Sequence, residues 1–568
     1  MSGNVCGAPG RFVPFAGRYG RCSPAIAVLA VVAVTWGCGR SVSVLRSGEL
    51  ARPGSLSGTL RIAGDRVDNL NPVLSGGGAS TYLSYLWGAW LFVAGNENQL
   101  EPELATVIPS VANGGISKDG LQITYHLRRG VRWQDGYPFD ASDVVFTWRA
   151  IMNPKNNVVT RLGYEKIATM TAIDRYTVRV RLKEPYAPAV ASLFGPGEVP
   201  MCILPRHILQ GGADINQAPY NAKPVGAGPF AIDRYEPSTG VLLKANPTYW
   251  RGKPKLAAIR YLFIPDPNTV QVMMRTGELD VALLNSLHSN ELAGEPHIAI
   301  IQAPANEFWF LSFNERHPPL DDARVRRAIA MAVDRRAFLH DILRDHGSIA
   351  DSDQPPFLWS YNPQVRAPGY DVAGAEKLLD ESGWRRQQDG ARYKNGRRLA
   401  LSFVYVRGSS DPLHYAPIFQ NAMHRIAVDV EIKPYPYSLF YAQKGSGGIL
   451  NGGKYDIAYT GWVGGVDPDD ATLWMCDQFP PNGYNSSFSC DRRIDAQERV
   501  ALRSYDQAVR RKAYWKIQEL LAIDVPVAFL VWSDTIYGIP KGLHGFHATT
   551  NFTHSWEWQL SQEGHQQQ

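Results

Sequence analysis

Residues Gly461–Asp470 read GWVGGVDPDD. Three carboxylates, Asp467, Asp469 and Asp470, crowd the end of this stretch, behind one tryptophan and two adjacent glycines. Clustered carboxylates can bind a divalent cation or exchange protons in acid–base catalysis, and a large aromatic beside open backbone can form the wall of a binding site. The chain approaches the stretch through KYDIAYT, a β-rich run, so a strand is expected to lead into Trp462 and a turn to follow at Asp467-Pro468.

Nothing else in the chain completes an enzyme. There is no H-E-x-x-H, C-x-x-C or G-x-S-x-G motif, and the GSG at Gly445–Gly447 lacks the strand-to-helix elbow that exposes a nucleophile. The 13 histidines are scattered. Gly226 and Gly228 resemble a phosphate loop only at first sight. No Lys-Ser/Thr or helix follows them, and Pro229 leads into a strand, so they read as a tight strand entry. No catalytic residue, metal site or cofactor is expected.

The apolar share of 45% describes a globular chain, and its 568 residues predict several lobes. Arg11, Arg18 and Arg21 are the only charges in residues 1–37, and without them 55 basic residues face 53 acidic ones. That near balance, with no Lys/Arg run, excludes an electrostatic case for nucleic acid. The three arginines precede AIAVLAVVAVTW, an apolar run too short to span a bilayer and fitting a secretory leader over residues 1–37. It ends in T-W-G-C, which resembles a lipobox with Thr35 and Trp36 in place of the usual residues. Lipidation of Cys38 is expected, with plain secretion or an uncleaved anchor as alternatives. Residues 38–57 read as a flexible tether. In an exported protein, Cys476 and Cys490 flank a loop that a disulfide would close; a metal pair lacks further ligands in range.

The elements alternate. Strands are expected at GTLRIAG, in ITYHL, at Tyr176–Pro185, after Gly277, at Phe308–Asn314, in LALSFVYV, in VDVEIKP and in VAFLVWSDTIYG. Helices are expected after Ser142 as N-cap, from Asp266, after Asp321 or Asp322, up to a stop at Gly383, through PIFQNAMHRI, and as one long helix between Arg503 and Ile523.

In that order the chain carries ITYHLRRGVRWQDGYPFDASDVVFTW, KPVGAGPF, NPTYWRGKPKL, GELDVALL, PLDDARVRRAIAMAVDR and GWVGGVDPDD. These phrases resemble the dipeptide/oligopeptide/nickel family of extracellular solute-binding proteins, extracellular solute-binding protein family 5. The resemblance implies an α/β fold of periplasmic binding protein type II, cluster C: two α/β lobes joined by a hinge, plus a small extra β-rich domain. Lobe I would hold residues 58–95, 205–304 and 531–568, the extra domain 96–204, and lobe II 305–530, with the hinge near Ala303–Phe308 and Val527–Ser533. It further implies a lipid-anchored periplasmic or cell-surface monomer that captures a peptide by hinge closure and delivers it to ABC permease subunits. The alternatives are a non-peptide solute (a metal chelate, an opine or an oligosaccharide) and an exported sensor without a permease.

The same resemblance assigns the site. Trp462 would lie against the ligand, with the backbone of Gly464 and Gly465 open to it. Peptide-binding members usually carry an amine-binding Asp where Gly465 stands; Asp467 would either move into that vacancy or cap the turn or the following helix. Arg407, ending the strand FVYVR, would hold a carboxylate, and the loop LSGGG, with Ser75 and Gly76, would reach the ligand through backbone groups. A cysteine pair shortly after the loop is also a trait of such members, at Cys476 and Cys490.

Overall fold

A computed structural model describes residues 58–561 apart from 76–77, 198, 212–213 and 550. The leader, the tether, Cys38 and Gly76 lie outside the described residues. Near the start of the chain, four strands form a sheet in the order Thr59–Gly64, Ala258–Phe263, Gly240–Ala245, Phe230–Glu236, with the first pair parallel. Alternation puts Leu60, Ile62, Ile259, Tyr261, Leu243 and Phe230 into one core. Helix Gly78–Trp87 packs Leu83, Leu86 and Trp87 into it. Here Gly226 and Gly228 find their purpose: a Cβ on Gly226 would sit 1.7 Å from the Trp87 carbonyl oxygen, and the Gly228 N–H donates to that oxygen at 3.0 Å. Both glycines admit one backbone against another, which no phosphate loop requires.

A three-stranded antiparallel sheet, Gln122–His126, Thr177–Leu182 and Ile167–Asp174, carries helix Ala141–Met152. Its N-cap is Asp140 rather than Ser142. Asp140 accepts from the Ser142 N–H while Asp143 reaches back to the Asp140 N–H, so a reciprocal capping box fixes the start two residues early.

The largest sheet has seven strands. Six follow the order Ala282–Leu283, Val527–Pro540, Ile298–Phe313, Ile457–Val463, Ala400–Val406, Asp429–Tyr435, and Ser348–Ile349 also pairs with Val527–Pro540. Two of them are long. Ile298–Phe313 runs antiparallel to Val527–Pro540 from Ile298↔Pro540 to Pro304↔Asp534, loses register, and resumes at Phe308↔Trp532. Before the break Ile298 and Ile536 pack with Met274 and Leu292; after it Phe308, Phe310 and Phe529 pack with Tyr514 and Ile517, and Leu311 and Phe313 with Ile329 and Phe403. The two strands therefore cross from one set of cores to another, and the interruption falls between them, where Pro304 lacks an N–H to offer the ladder.

Beyond the break, Ala400–Val406 and Asp429–Tyr435 pair in parallel around helix Ser410–Arg425, an α/β crossover. Asp322 caps helix Ala323–Ala332, which buries Val325, Ile329 and Ala332. The long terminal helix is in fact preceded by another: Arg492–Arg503 and Gln507–Asp524 are separate, because Asp506 caps the second by accepting from the Ala508 and Val509 N–H groups. Cys476 and Cys490 are joined in a disulfide.

Candidate ligand site

The strand into the GWVGGVDPDD loop ends at Val463 and pairs with the crossing strand through Phe308↔Trp462 and Trp309↔Gly461. Gly461 is obligatory: a Cβ there would meet the Trp309 ring at 2.9 Å. Trp462 is half-buried, packed on the core that contains Phe308, with its ring 5.0 Å from that of Tyr484. The two glycines that follow are less open than their sequence promises. The Gly464 N–H donates to the Asn306 carbonyl at 2.8 Å, and the Asn306 amide donates to the Gly465 carbonyl at 2.6 Å. One asparagine from the crossing strand thus latches both, leaving the Gly464 carbonyl and the Gly465 N–H as the groups not engaged in this latch.

The loop's carboxylates are committed to the protein. Arg510 grips Asp467 with two bonds, Nη2 to Oδ1 at 2.5 Å and Nη1 to Oδ2 at 2.8 Å. Both side chains are nearly buried, at 8% and 12% exposure. Asp467 also accepts from the Asp469 N–H at 3.1 Å. Asp467 thus holds a turn N–H and a guanidinium together, and an incoming ammonium would have to displace that bidentate guanidinium. Asp469 accepts from the Tyr186 hydroxyl at 3.2 Å, and burial, then the Asp467 charge, push its carboxyl up to about 6.

A cavity of about 450 Å³ is lined by Val466, Asp467 and Arg510 together with Leu100, Ile108, Val190 and Trp359. The opening stretch is therefore a wall of a cavity whose volume fits a small molecule. A far smaller pocket lies at Gly465, Asp467 and Asp469, against Tyr164 and Tyr186.

Arg407 follows the strand Ala400–Val406, exposed, its N–H on the Tyr435 carbonyl at 2.7 Å and its guanidinium on the Pro434 carbonyl at 3.3 Å. It makes no ion pair among the described residues. Ser75 is half-buried, with its N–H on the Asn71 carbonyl at 3.1 Å. No hydrogen bond brings either residue to the loop.

One group escaped the sequence reading. Glu307 stands inside the register break and pairs with Val463, next to the Asn306 latch. Its carboxylate makes no hydrogen bond or ion pair among the described residues. Its charge acts on Tyr82 of helix Gly78–Trp87 and on Tyr441 and Tyr459, and the Asp411 charge acts on it. Burial first, then the Asp411 charge, push Glu307 up to about 7, and burial raises Asp411 as well. An acid without a partner between those elements is suited to a positively charged ligand group. In the sequence its sign is a lone Glu inside ANEFWFLSF, one residue before the strand expected from Phe308.

Residues 99–483 match the family model for bacterial extracellular solute-binding proteins, family 5. The chain belongs to this family. It is a solute-binding protein rather than an enzyme, with two α/β lobes, a hinge and a small extra domain. It is 28% identical over 445 residues to protein XP55 of Streptomyces lividans, covering 77% of each chain. It is 26% identical over 476 residues to di/tripeptide-binding protein 1 of Pseudomonas aeruginosa, covering 79% of this chain and 84% of that one. Among solved structures, NikZ of Campylobacter jejuni in complex with Ni(L-His) matches with a TM-score of 0.76 at 26% identity, covering 88% of this chain and 99% of that one. Oligopeptide-binding AppA of Bacillus subtilis, in complex with a nonapeptide, shares the fold with a TM-score of 0.76 at 23% identity, over 89% of this chain and 99% of that one.

Proposed function

We propose that this family 5 protein captures a peptide between its lobes and delivers it to the permease of an ABC importer. The observation that carries this reading is the cavity walled by Val466 and Asp467, at the end of a loop that follows Trp462. The di/tripeptide-binding relative supports the ligand class. Capture would be a population shift in which ligand contacts to both lobes favour the closed state, with bending at the break between Pro304 and Phe308. The lobe boundaries read from the sequence, export by the 1–37 leader, lipidation of Cys38 and a monomeric state belong to the same proposal. Native mass spectrometry of the purified protein tests it: a retained peptide is expected, and a retained non-peptide solute overturns the assignment.

Within this proposal the ligand reaches beyond that cavity, whose lining does not include Glu307, and its amine sits at Glu307 in the register break rather than at Asp467. Glu307→Gln should weaken binding of the retained peptide by about 10- to 100-fold, the value of a hydrogen bond to a charged group. N-acetylation of the peptide should cost as much in calorimetry, and the two losses should not add. Because the Glu307 carboxyl sits at about 7 and an ammonium binds its ionised form, affinity should rise as pH climbs through neutrality, with proton release on binding. Equal affinity in Glu307→Gln would remove the role.

A metal chelate is the second reading. It is favoured by Gly465, which supplies no acid at the usual amine position, and by the likeness to NikZ in complex with Ni(L-His).

A further inference from the structure

Behind the ligand loop lies a set of carboxyls that its ion pairs do not explain. Asp470, the last residue of GWVGGVDPDD, is 4% exposed, Asp353 3% and Glu498 0%. Asp353 and Glu498 both act on the Asp470 carboxyl. Asp353 Oδ1, Asp470 Oδ1 and both oxygens of Glu498 are buried with no hydrogen-bond partner among the described residues. The remaining oxygens are served: Trp474 Nε1 donates to Asp353 Oδ2 at 2.9 Å, and Gln354 Nε2 to Asp470 Oδ2 at 2.9 Å. The same Gln354 nitrogen reaches the Pro468 carbonyl at 3.3 Å, so the cluster and the loop are strapped together.

An ionised carboxylate only accepts hydrogen bonds, so buried oxygens without a donor, set among other carboxyls, favour the protonated form, which can donate to a neighbouring oxygen. Neighbouring cations do not substitute for that proton. Arg510 of helix Gln507–Asp524 is held by Asp467, and Arg492 and Arg499 by Asp495 on the helix that bears Glu498. The other groups facing the cluster are Asp469, Asp495 and the Tyr514 hydroxyl, which add negative charge or none. Among the described residues no three His, Cys, Asp or Glu side chains are arranged to hold a metal ion.

We propose that Asp353, Asp470 and Glu498 form a proton-sharing lock on the C-terminal end of the Gly461–Asp470 loop, released as pH rises. Burial, followed by the neighbouring carboxylates, raises Asp470 and Glu498 well above their ordinary range. The sign follows: the folded state binds more protons than the unfolded chain, so the cluster's stabilisation is full below the ordinary carboxylate range. It is lost as pH rises through the elevated folded values. Ionised, the three groups would be like charges in a dry site, and Asp470, as the residue preceding helix Ala471–Trp474, would pull the loop end with it.

The test uses the full chain without ligand, over roughly pH 5 to pH 9, and the expected outcome is a loss of about 5 °C in melting temperature across that range. Hydrogen exchange at residues 464–469, corrected for intrinsic rate, should show protection falling about tenfold in parallel. Asp470→Asn with Glu498→Gln should flatten both profiles. Identical pH profiles in the double variant overturn the proposal, and so does stabilisation by added calcium that EDTA reverses. Should the variant not fold, infrared spectra of the native protein decide: protonated carboxyls persisting at about pH 8 support the lock, and their absence overturns it. The loop's role in capture rests on the function proposed above. None of these measurements involves a ligand, so a failed peptide assignment leaves their outcome untouched.

Discussion

Arg510→Ala should lower the free energy of unfolding by about 3–5 kcal/mol in denaturant titration, among the largest effects of any single change near the loop. The guanidinium is almost fully enclosed, lies 5.3 Å from the Trp359 ring, and donates to the Tyr514 hydroxyl at 3.1 Å as well as to both oxygens of Asp467. Its removal strands a carboxylate that accepts from the Asp469 N–H and has little water to turn to. The companion experiment separates the cost of breaking the pair from the worth of the pair itself. Arg510→Met combined with Asp467→Leu removes both charges and should recover most of the loss, since the desolvation of a buried pair roughly cancels its attraction. If the double variant is as unstable as Arg510→Ala, the ion pair itself contributes the stability. In Arg510→Ala the freed Asp467 also becomes competent to receive an amine, so peptide affinity measured beside stability reports whether that position was blocked by its partner.

Gly226→Ala should be at least as damaging, at more than about 3 kcal/mol, and should show itself as loss of soluble folded protein. The added methyl would lie 1.7 Å from the Trp87 carbonyl oxygen and 2.6 Å from its carbonyl carbon. Both are backbone atoms at the end of a buried helix and cannot swing aside. The surrounding polar contacts are equally fixed: Gln134 accepts from the Gly226 N–H at 3.0 Å and gives its amide to the Phe230 carbonyl at 2.8 Å. By contrast Gly252→Ala, a glycine with φ of +105° and open space around its Cβ, should cost only backbone strain. Comparing the two in one thermal series tests whether close approach or conformational freedom is what a glycine supplies here.

Most strands and helices were legible because their burial alternates as their residues do. Leu401, Phe403 and Tyr405 face one core, and Val325 with Ile329 repeats at helical spacing. What local pattern could not convey was how far the crossing strands extend. FWFLSFN reads as a short strand, yet pairing with Val527–Pro540 draws Ile298–Phe313 into one element, an outcome decided by a partner more than two hundred residues away. The same distance hid the site's electrostatics. Asp467 looks free in GWVGGVDPDD because Arg510 belongs to a helix 43 residues later. Glu307 looks like an ordinary surface acid because Tyr82 and Asp411 approach it only in the fold. Residue types showed an acidic, glycine-containing loop; which of its charges were available depended on tertiary pairing.

The third described cysteine carries one more consequence. Cys202 is fully buried, and burial pushes its thiol up to about 12, so thiolate is scarce at any ordinary pH. Its neighbour Ile203 donates to the Ala89 carbonyl at 2.7 Å, fixing the segment against the chain that follows helix Gly78–Trp87. An inert thiol does not attack the Cys476–Cys490 bond, so exchange between the correct and the wrong partner is suppressed by the fold itself. Alkylating reagents and oxidants reach Cys202 only when that packing opens, which makes the residue an internal clock for local unfolding.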